Sequence, residues 1–179
     1  MLQKNEENKI NYISHLNSQN WLNDEVINEY LKLLKILDDN VFIFTSYFHT
    51  AFRAGGFKRV ENYYRKYDLL EYTALYIPVH KENHWYLITF NSIELVVYDP
   101  FNYPQCSKED RQKLLDINKK AHLNALSELE RLYFKPLFAL RNKQLAPLSL
   151  KVKVPPEIPA QNNSWDCGVF LTTFVEQEV

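Results

Sequence analysis

Glycine, cysteine and methionine are scarce in this chain: 3, 2 and 1 among 179 residues. So few glycines, none in a run with a downstream Lys-Ser or Lys-Thr, exclude a phosphate-cradling loop. The two cysteines, Cys106 and Cys167, lie far apart and make no CxxC pattern, so no metal site is expected. Sparse cysteine suits a reducing compartment, nucleus or cytoplasm. No apolar run approaches the ~20 residues of a membrane span, and the polar start M-L-Q-K-N-E-E-N-K carries no secretory signal. Net charge is also small, −1 from 21 basic and 22 acidic residues. Bulk electrostatics therefore gives no case for nucleic-acid binding. The basic, tyrosine-rich segment 52–67 reads as a solvated face with packed tyrosines.

Apolar and aromatic residues are plentiful, at 46% and 15%. A single domain of this length can bury a substantial core. Residues 1–20 read as an N-terminal extension. Asn23 caps a helix over 24–38 with Ile27, Tyr30, Leu31, Leu34 and Leu37 on one face. Residues 41–48 are apolar and turn into a short helix carrying His49. A strand covers 73–79. The runs W-Y-L-I-T-F (85–90) and I-E-L-V-V-Y (93–98) are aromatic and β-branched, and only Asn91-Ser92 separates them, which predicts a tight hairpin. Ser107 and Asp110 open a long helix over 108–133. A short strand over 151–154 stops at Pro155-Pro156. A last helix follows Cys167. Helix first, sheet in the middle and helix last describe an α+β fold, a central mixed sheet flanked by helices.

Chemistry concentrates in Q-N-N-S-W-D-C-G, residues 161–168. Cys167 stands at a helix entry, where the dipole and free N–H groups favour thiolate over thiol. That is what a nucleophile needs. Gln161 carries an amide donor able to stabilise an oxyanion. The competing reading is a buried structural cysteine at the start of a helix. A base is then sought. If Phe90 faces Ile93 across the hairpin, His84 faces Asp99, and directly opposed Cβ atoms lie about 4.5–5.5 Å apart. The expectation is a His–Asp pair at the open end of the hairpin, against the alternative of a surface ion pair worth little. Asp99 precedes Pro100, which keeps it extended. Cys106 is expected to be a spectator, and His15, His49, His80 and His122 ordinary surface or packing residues.

H-W-Y-L (84–87), Y-D (98–99), Q-N-N-S-W-D-C-G (161–168) and W-L-N-D-E-V-I-N (21–28) resemble, in the same order, the motifs of the ubiquitin-like-protein-specific, or SUMO-specific, cysteine proteases. The resemblance spans residues 21–175. It implies a papain-like fold in permuted order, with the catalytic cysteine late in the chain. It implies Cys167 as nucleophile, His84 as general base, Asp99 as its orienting acid and Gln161 as an oxyanion-hole donor, with the N–H of Cys167 as a second. It implies that Trp85 and Trp21 flank a narrow tunnel for a Gly-Gly tail, since only glycine lacks a Cβ. For Trp21 a hydrophobic staple before the first helix competes. Asp24 either meets an arginine of the modifier or serves the helix dipole.

The resemblance further implies an isopeptidase acting as a monomer on SUMO and its lysine-conjugated proteins, with no cofactor. A Nedd-type modifier, an acetyltransferase of the same fold and a non-cleaving binding module are the alternatives. Two departures stand out. Asp99 is followed by proline, where many members carry a small polar residue. The chain ends 12 residues after Cys167, where members usually continue through further helices.

Overall fold

The computed structural model describes residues 20–178; the expectations for His15 and the N-terminal extension therefore lie outside the described residues. Helix α1 (Asp24–Leu34) begins at Asn23, whose side chain accepts from the Val26 N–H at 2.9 Å. Ile27, Leu31 and Leu34 are buried as the helical spacing requires. The helix ends four residues short of 38, so Leu37 is exposed, and Tyr30 also faces outward.

Strand β1 (Val41–Ile43) leads into α2 (Tyr47–Arg59), which carries His49 and breaks at Gly56, whose φ of +65° needs glycine. A short α3 (Glu61–Lys66) follows. Strands β2 (Ala74–Lys81), β3 (His84–Phe90) and β4 (Glu94–Tyr98) form a meander, and β5 (Ser149–Lys153) returns beside β4. The sheet order is β1-β2-β3-β4-β5, with parallel pairs at both edges and antiparallel pairs in the centre. Between β4 and β5 run α4 (Lys108–Leu129), a π-helical turn (Glu130–Phe134) and α5 (Lys135–Leu140). Ser107 caps α4 by accepting from the Asp110 N–H and donating to its carboxylate. Helix α6 (Cys167–Glu178) closes the fold.

The hairpin register differs from the sequence expectation by two residues. Phe90 pairs with Leu95 and Leu87 with Tyr98. The tight turn is centred on Ser92-Ile93 rather than Asn91-Ser92. Asn91 precedes it and accepts from the Glu94 N–H through its side chain, while Ser92 takes a φ of +69°. Asn is better used here as a turn-closing acceptor than as a central residue. On this register Asp99 lies opposite Tyr86, and His84 is its diagonal neighbour. A slip of two keeps every side chain on its face, whereas a slip of one would have separated the pair.

The β2–β3 hairpin, which sequence patterning leaves unread, turns on Glu82-Asn83. Both have positive φ, and Lys81 pairs with His84. That turn places His84 at the very mouth of β3.

Strand alternation divides the core. Tyr86, Ile88 and Phe90 face the layer built by α2, α3, α4 and α5, where Phe48, Tyr133 and Phe134 pack edge-on. Trp85 and Leu87 face a smaller layer built by α1 and α6.

Candidate active site

Asp99 lies just past the end of β4 and is 1% exposed, so the exposed ion-pair alternative does not describe it. Its N–H bonds the Lys153 carbonyl, fixing the backbone at the sheet end. Oδ1 accepts from His84 Nε2 at 2.7 Å and from the Phe101 N–H at 3.0 Å. Oδ2 accepts from Asn118 Nδ2 at 2.7 Å and from His122 Nε2 at 2.8 Å. Burial pushes the Asp99 carboxyl up, but the bonds from His122 and His84 outweigh it and hold the group well below the usual carboxylate range.

Burial pushes the His84 imidazole down. Hydrogen bonds and charge from Asp99 and Cys167 outweigh burial and raise it to about 9. With Nε2 engaged by Asp99, Nδ1 is the ring nitrogen left to serve Cys167. The imidazole is thus bonded to an acid at the end of one strand, while the cysteine whose charge acts on it opens a helix on the other face of the sheet.

Cys167 is 1% exposed and opens α6. The loop before it is set by Asn163, whose Oδ1 accepts from the N–H groups of Trp165 and Asp166 and whose amide donates to the Asp166 carboxylate. The Asp166 carbonyl takes the Phe170 N–H. Gly168 is required by a close approach: a Cβ there would sit 3.0 Å from Leu22 Cβ and 3.2 Å from Ile27 Cδ1. The last helix therefore docks directly on the W-L-N-D-E-V-I-N segment.

Gln161 reaches the site by backbone pairing. It bridges Phe101 in parallel, and its N–H bonds the Pro100 carbonyl at 2.7 Å. The side chain is buried. Nε2 donates to the Asn163 carbonyl at 2.9 Å, while Oε1 is buried without a partner among the described residues.

Trp85 is 1% exposed, with its Nε1–H on the Leu22 carbonyl at 3.0 Å. His80 stacks on it at 4.3 Å between ring centroids, 9° from parallel. Asp24 accepts from Ser46 Oγ at 2.7 Å and lies 3.8 Å from His80 Nδ1. It thus sits in the first turn of α1 and beside the tryptophan that resembles a tunnel wall, so its two expected roles are not exclusive. His80, expected as a surface or packing residue, packs on the indole. Trp21 is 42% exposed and is not a buried staple. It lines a cavity of about 430 Å³ with His84, Phe101, Tyr103, Asn118 and His122. His49 borders an adjoining cavity; burial first, then Arg53 and Lys81, push it down to about 4, so it is neutral at physiological pH.

Sequence reasoning missed Asn118 and His122. A signal was present. Positions 115, 118, 122, 126 and 129 form one stripe of α4, and Leu115, Leu126 and Leu129 fill it except where Asn118 and His122 interrupt. Polar residues in an apolar stripe need a buried partner, and that partner is Asp99. His122 is therefore no packing residue, contrary to expectation. Among the described residues no cluster of His, Cys, Asp and Glu could hold a metal ion, and no helix is long and apolar enough to cross a membrane.

A cysteine at a helix start, an imidazole bonded to a buried carboxylate and a neighbouring amide define the class of papain-like thiol hydrolase sites. The chain belongs to the Ulp1 protease family: residues 20–177 match the model of its C-terminal catalytic domain. It is 32% identical over 167 residues to human sentrin-specific protease 5, covering 90% of this chain and 20% of that protein. It is 29% identical over 175 residues to human sentrin-specific protease 2, covering 92% and 26%. The chain thus spans about a fifth to a quarter of the length of these curated relatives. Among solved structures it resembles the C-terminal Ulp1 protease domain in complex with Smt3, the yeast ortholog of SUMO, with a TM-score of 0.70 and 18% identity, covering 89% of this chain and 66% of that one. The SUMO protease Ulp1 with its catalytic cysteine oxidised to a sulfinic acid gives the same TM-score, covering 91% and 68%.

Proposed function

We propose that this domain is a cysteine isopeptidase that cleaves after the C-terminal Gly-Gly of a SUMO-type modifier, releasing it from lysine side chains. The observation that carries this is the His84 imidazole, bonded to the buried Asp99 at 2.7 Å and raised to about 9 in part by Cys167 at the start of α6. Cys167 Sγ, giving its proton to His84, attacks the carbonyl carbon of the terminal glycine. The oxyanion is received by the second N–H of Gln161 Nε2 and by the Cys167 backbone N–H. As the carbon–nitrogen bond breaks, His84 gives its proton to the leaving lysine amine and a thioester remains. His84 then takes a proton from water, the hydroxide displaces the sulfur, and the modifier leaves with a free carboxylate. Asp99, ionised throughout, supports the imidazolium.

The substrate assignment rests on membership of the Ulp1 family, on similarity to the sentrin-specific proteases, on Trp21 lining a cavity with His84, and on Trp85 packing in one core cluster with Cys167. Nucleus or cytoplasm is the compartment we propose for it. The deciding experiment compares cleavage rates on SUMO, Nedd-type and ubiquitin fusions. Fastest turnover of SUMO is expected. Faster turnover of the Nedd-type fusion overturns the substrate while leaving the chemistry standing.

A further inference from the structure

We propose that Asn118 and His122 of α4 are positioning residues of this site, fixing the plane of the Asp99 carboxylate so that Oδ1 faces His84. The role is a refinement of the protease reading, but its geometry holds whatever the substrate.

A carboxylate at a strand end turns about its Cβ–Cγ bond unless both oxygens are held. The Phe101 N–H and His84 hold Oδ1. Without donors on Oδ2 the group would pivot, and the acceptor facing His84 would be lost for part of the time. Asn118 and His122, one turn apart on α4, place two donors on Oδ2 at 2.7 and 2.8 Å. They can do so because α4 is seated by Leu115, Leu126 and Leu129 in the larger core. The His122 ring is itself fixed, edge-on to Tyr86 at 4.7 Å and 64°, and is 7% exposed. Tyr86 is the residue opposite Asp99 on the observed register. One helix therefore supplies both donors to Oδ2, and the strand residue Tyr86 seats the ring of one of them. Two polar residues in an apolar stripe weaken packing unless their bonds are made, and both bonds go to the acid that orients the base.

The test uses His122→Ala, His122→Gln and Asn118→Ala in the full chain. Glutamine carries a donor nitrogen near the position of His Nε2. Active-site titration with a SUMO bearing a C-terminal electrophile counts folded sites, so that kcat is expressed per competent molecule. His122→Ala is expected to lower kcat by ~10–100-fold, the size seen when outer partners of an oriented ligand are removed, with KM unchanged. His122→Gln should recover most of that loss, and Asn118→Ala should fall between the two. A second readout needs no substrate. The His84 Nε2–H shared with Asp99 should give a far-downfield proton resonance in the unaltered protein. It should vanish in His122→Ala and return in His122→Gln. If His122→Ala keeps both kcat and the resonance, or if glutamine rescues neither, His122 serves packing alone and the proposal is wrong. If the resonance behaves as expected but no modifier is turned over, positioning stands and the substrate reading falls.

Discussion

The two faces of the sheet hold the two halves of the site by different means. On the α4 face, His84 and Asp99 are fixed by hydrogen bonds, four of them on one carboxylate. On the α1/α6 face, Cys167 and Trp85 are fixed by packing: Gly168 against Leu22 and Ile27, and a buried indole with a single bond to the Leu22 carbonyl. Proton transfer needs direction, which hydrogen bonds supply. A buried nucleophile needs a fixed place, which close packing supplies. Damage to the first face should appear in kcat and pH dependence. Damage to the second should appear in stability and substrate access.

The largest expected effect falls where the two faces meet. Cys167→Ala should abolish cleavage while the modifier still binds, measured by single-turnover cleavage and by calorimetric binding; retained turnover would move the nucleophile elsewhere. His84→Ala should cost nearly as much, because such groups act as a unit, and Asp99→Asn should cost less than His84→Ala. Gln161→Ala comes next, lowering kcat by ~10²–10³ with little change in KM, as for loss of one oxyanion donor.

Gly168→Ala sharpens the comparison from the packing side. The added Cβ meets Leu22 at 3.0 Å and should destabilise by ~1–3 kcal/mol, read as a lower midpoint in urea, with the pH profile of kcat unmoved. A shifted pH profile in this variant would mean that the faces are not separable.

The smallest effect is the pH dependence of stability. His84 is raised from 6.5 to about 9. Its contribution is therefore fully present below about 6.5 and lost as pH rises through about 9. Asp99 is lowered from its ordinary 3.8, so its contribution is present above that value and lost as pH falls below it. Thermal melts should show a plateau between these limits, and His84→Ala should flatten the alkaline limb. An unchanged alkaline limb in that variant would remove His84 as its source.

Much of this was legible in the sequence because it is local. Asn23, Ser107 and the Q-N-N-S-W-D-C-G loop act on neighbours within a few residues, and the aromatic and β-branched runs 85–90 and 93–98 mark the two hairpin strands to within a residue or two. The hairpin register was misread because Asn91 looks like a central turn residue but acts as its closing acceptor. The Glu82-Asn83 turn was missed because Asn83, a residue that tolerates positive φ, follows the polar run His80-Lys81-Glu82, which hid the end of β2. Asn118 and His122 were missed because their partner is some twenty residues away, and only a stripe of α4 broken by two polar residues hinted at it. The extent of α1 was overread because Leu37 fits the period yet has nothing to pack against.

The central claim is that Cys167, activated by a base and acid from the opposite face, attacks the carbonyl after a modifier's Gly-Gly. The most direct measurement is incubation with a SUMO carrying a C-terminal electrophile, followed by peptide mapping of the adduct in the unaltered protein and in His84→Ala. A single adduct on Cys167, formed far more slowly without His84, is the predicted result. An adduct on Cys106, or one on Cys167 that forms equally fast in both proteins, would contradict it.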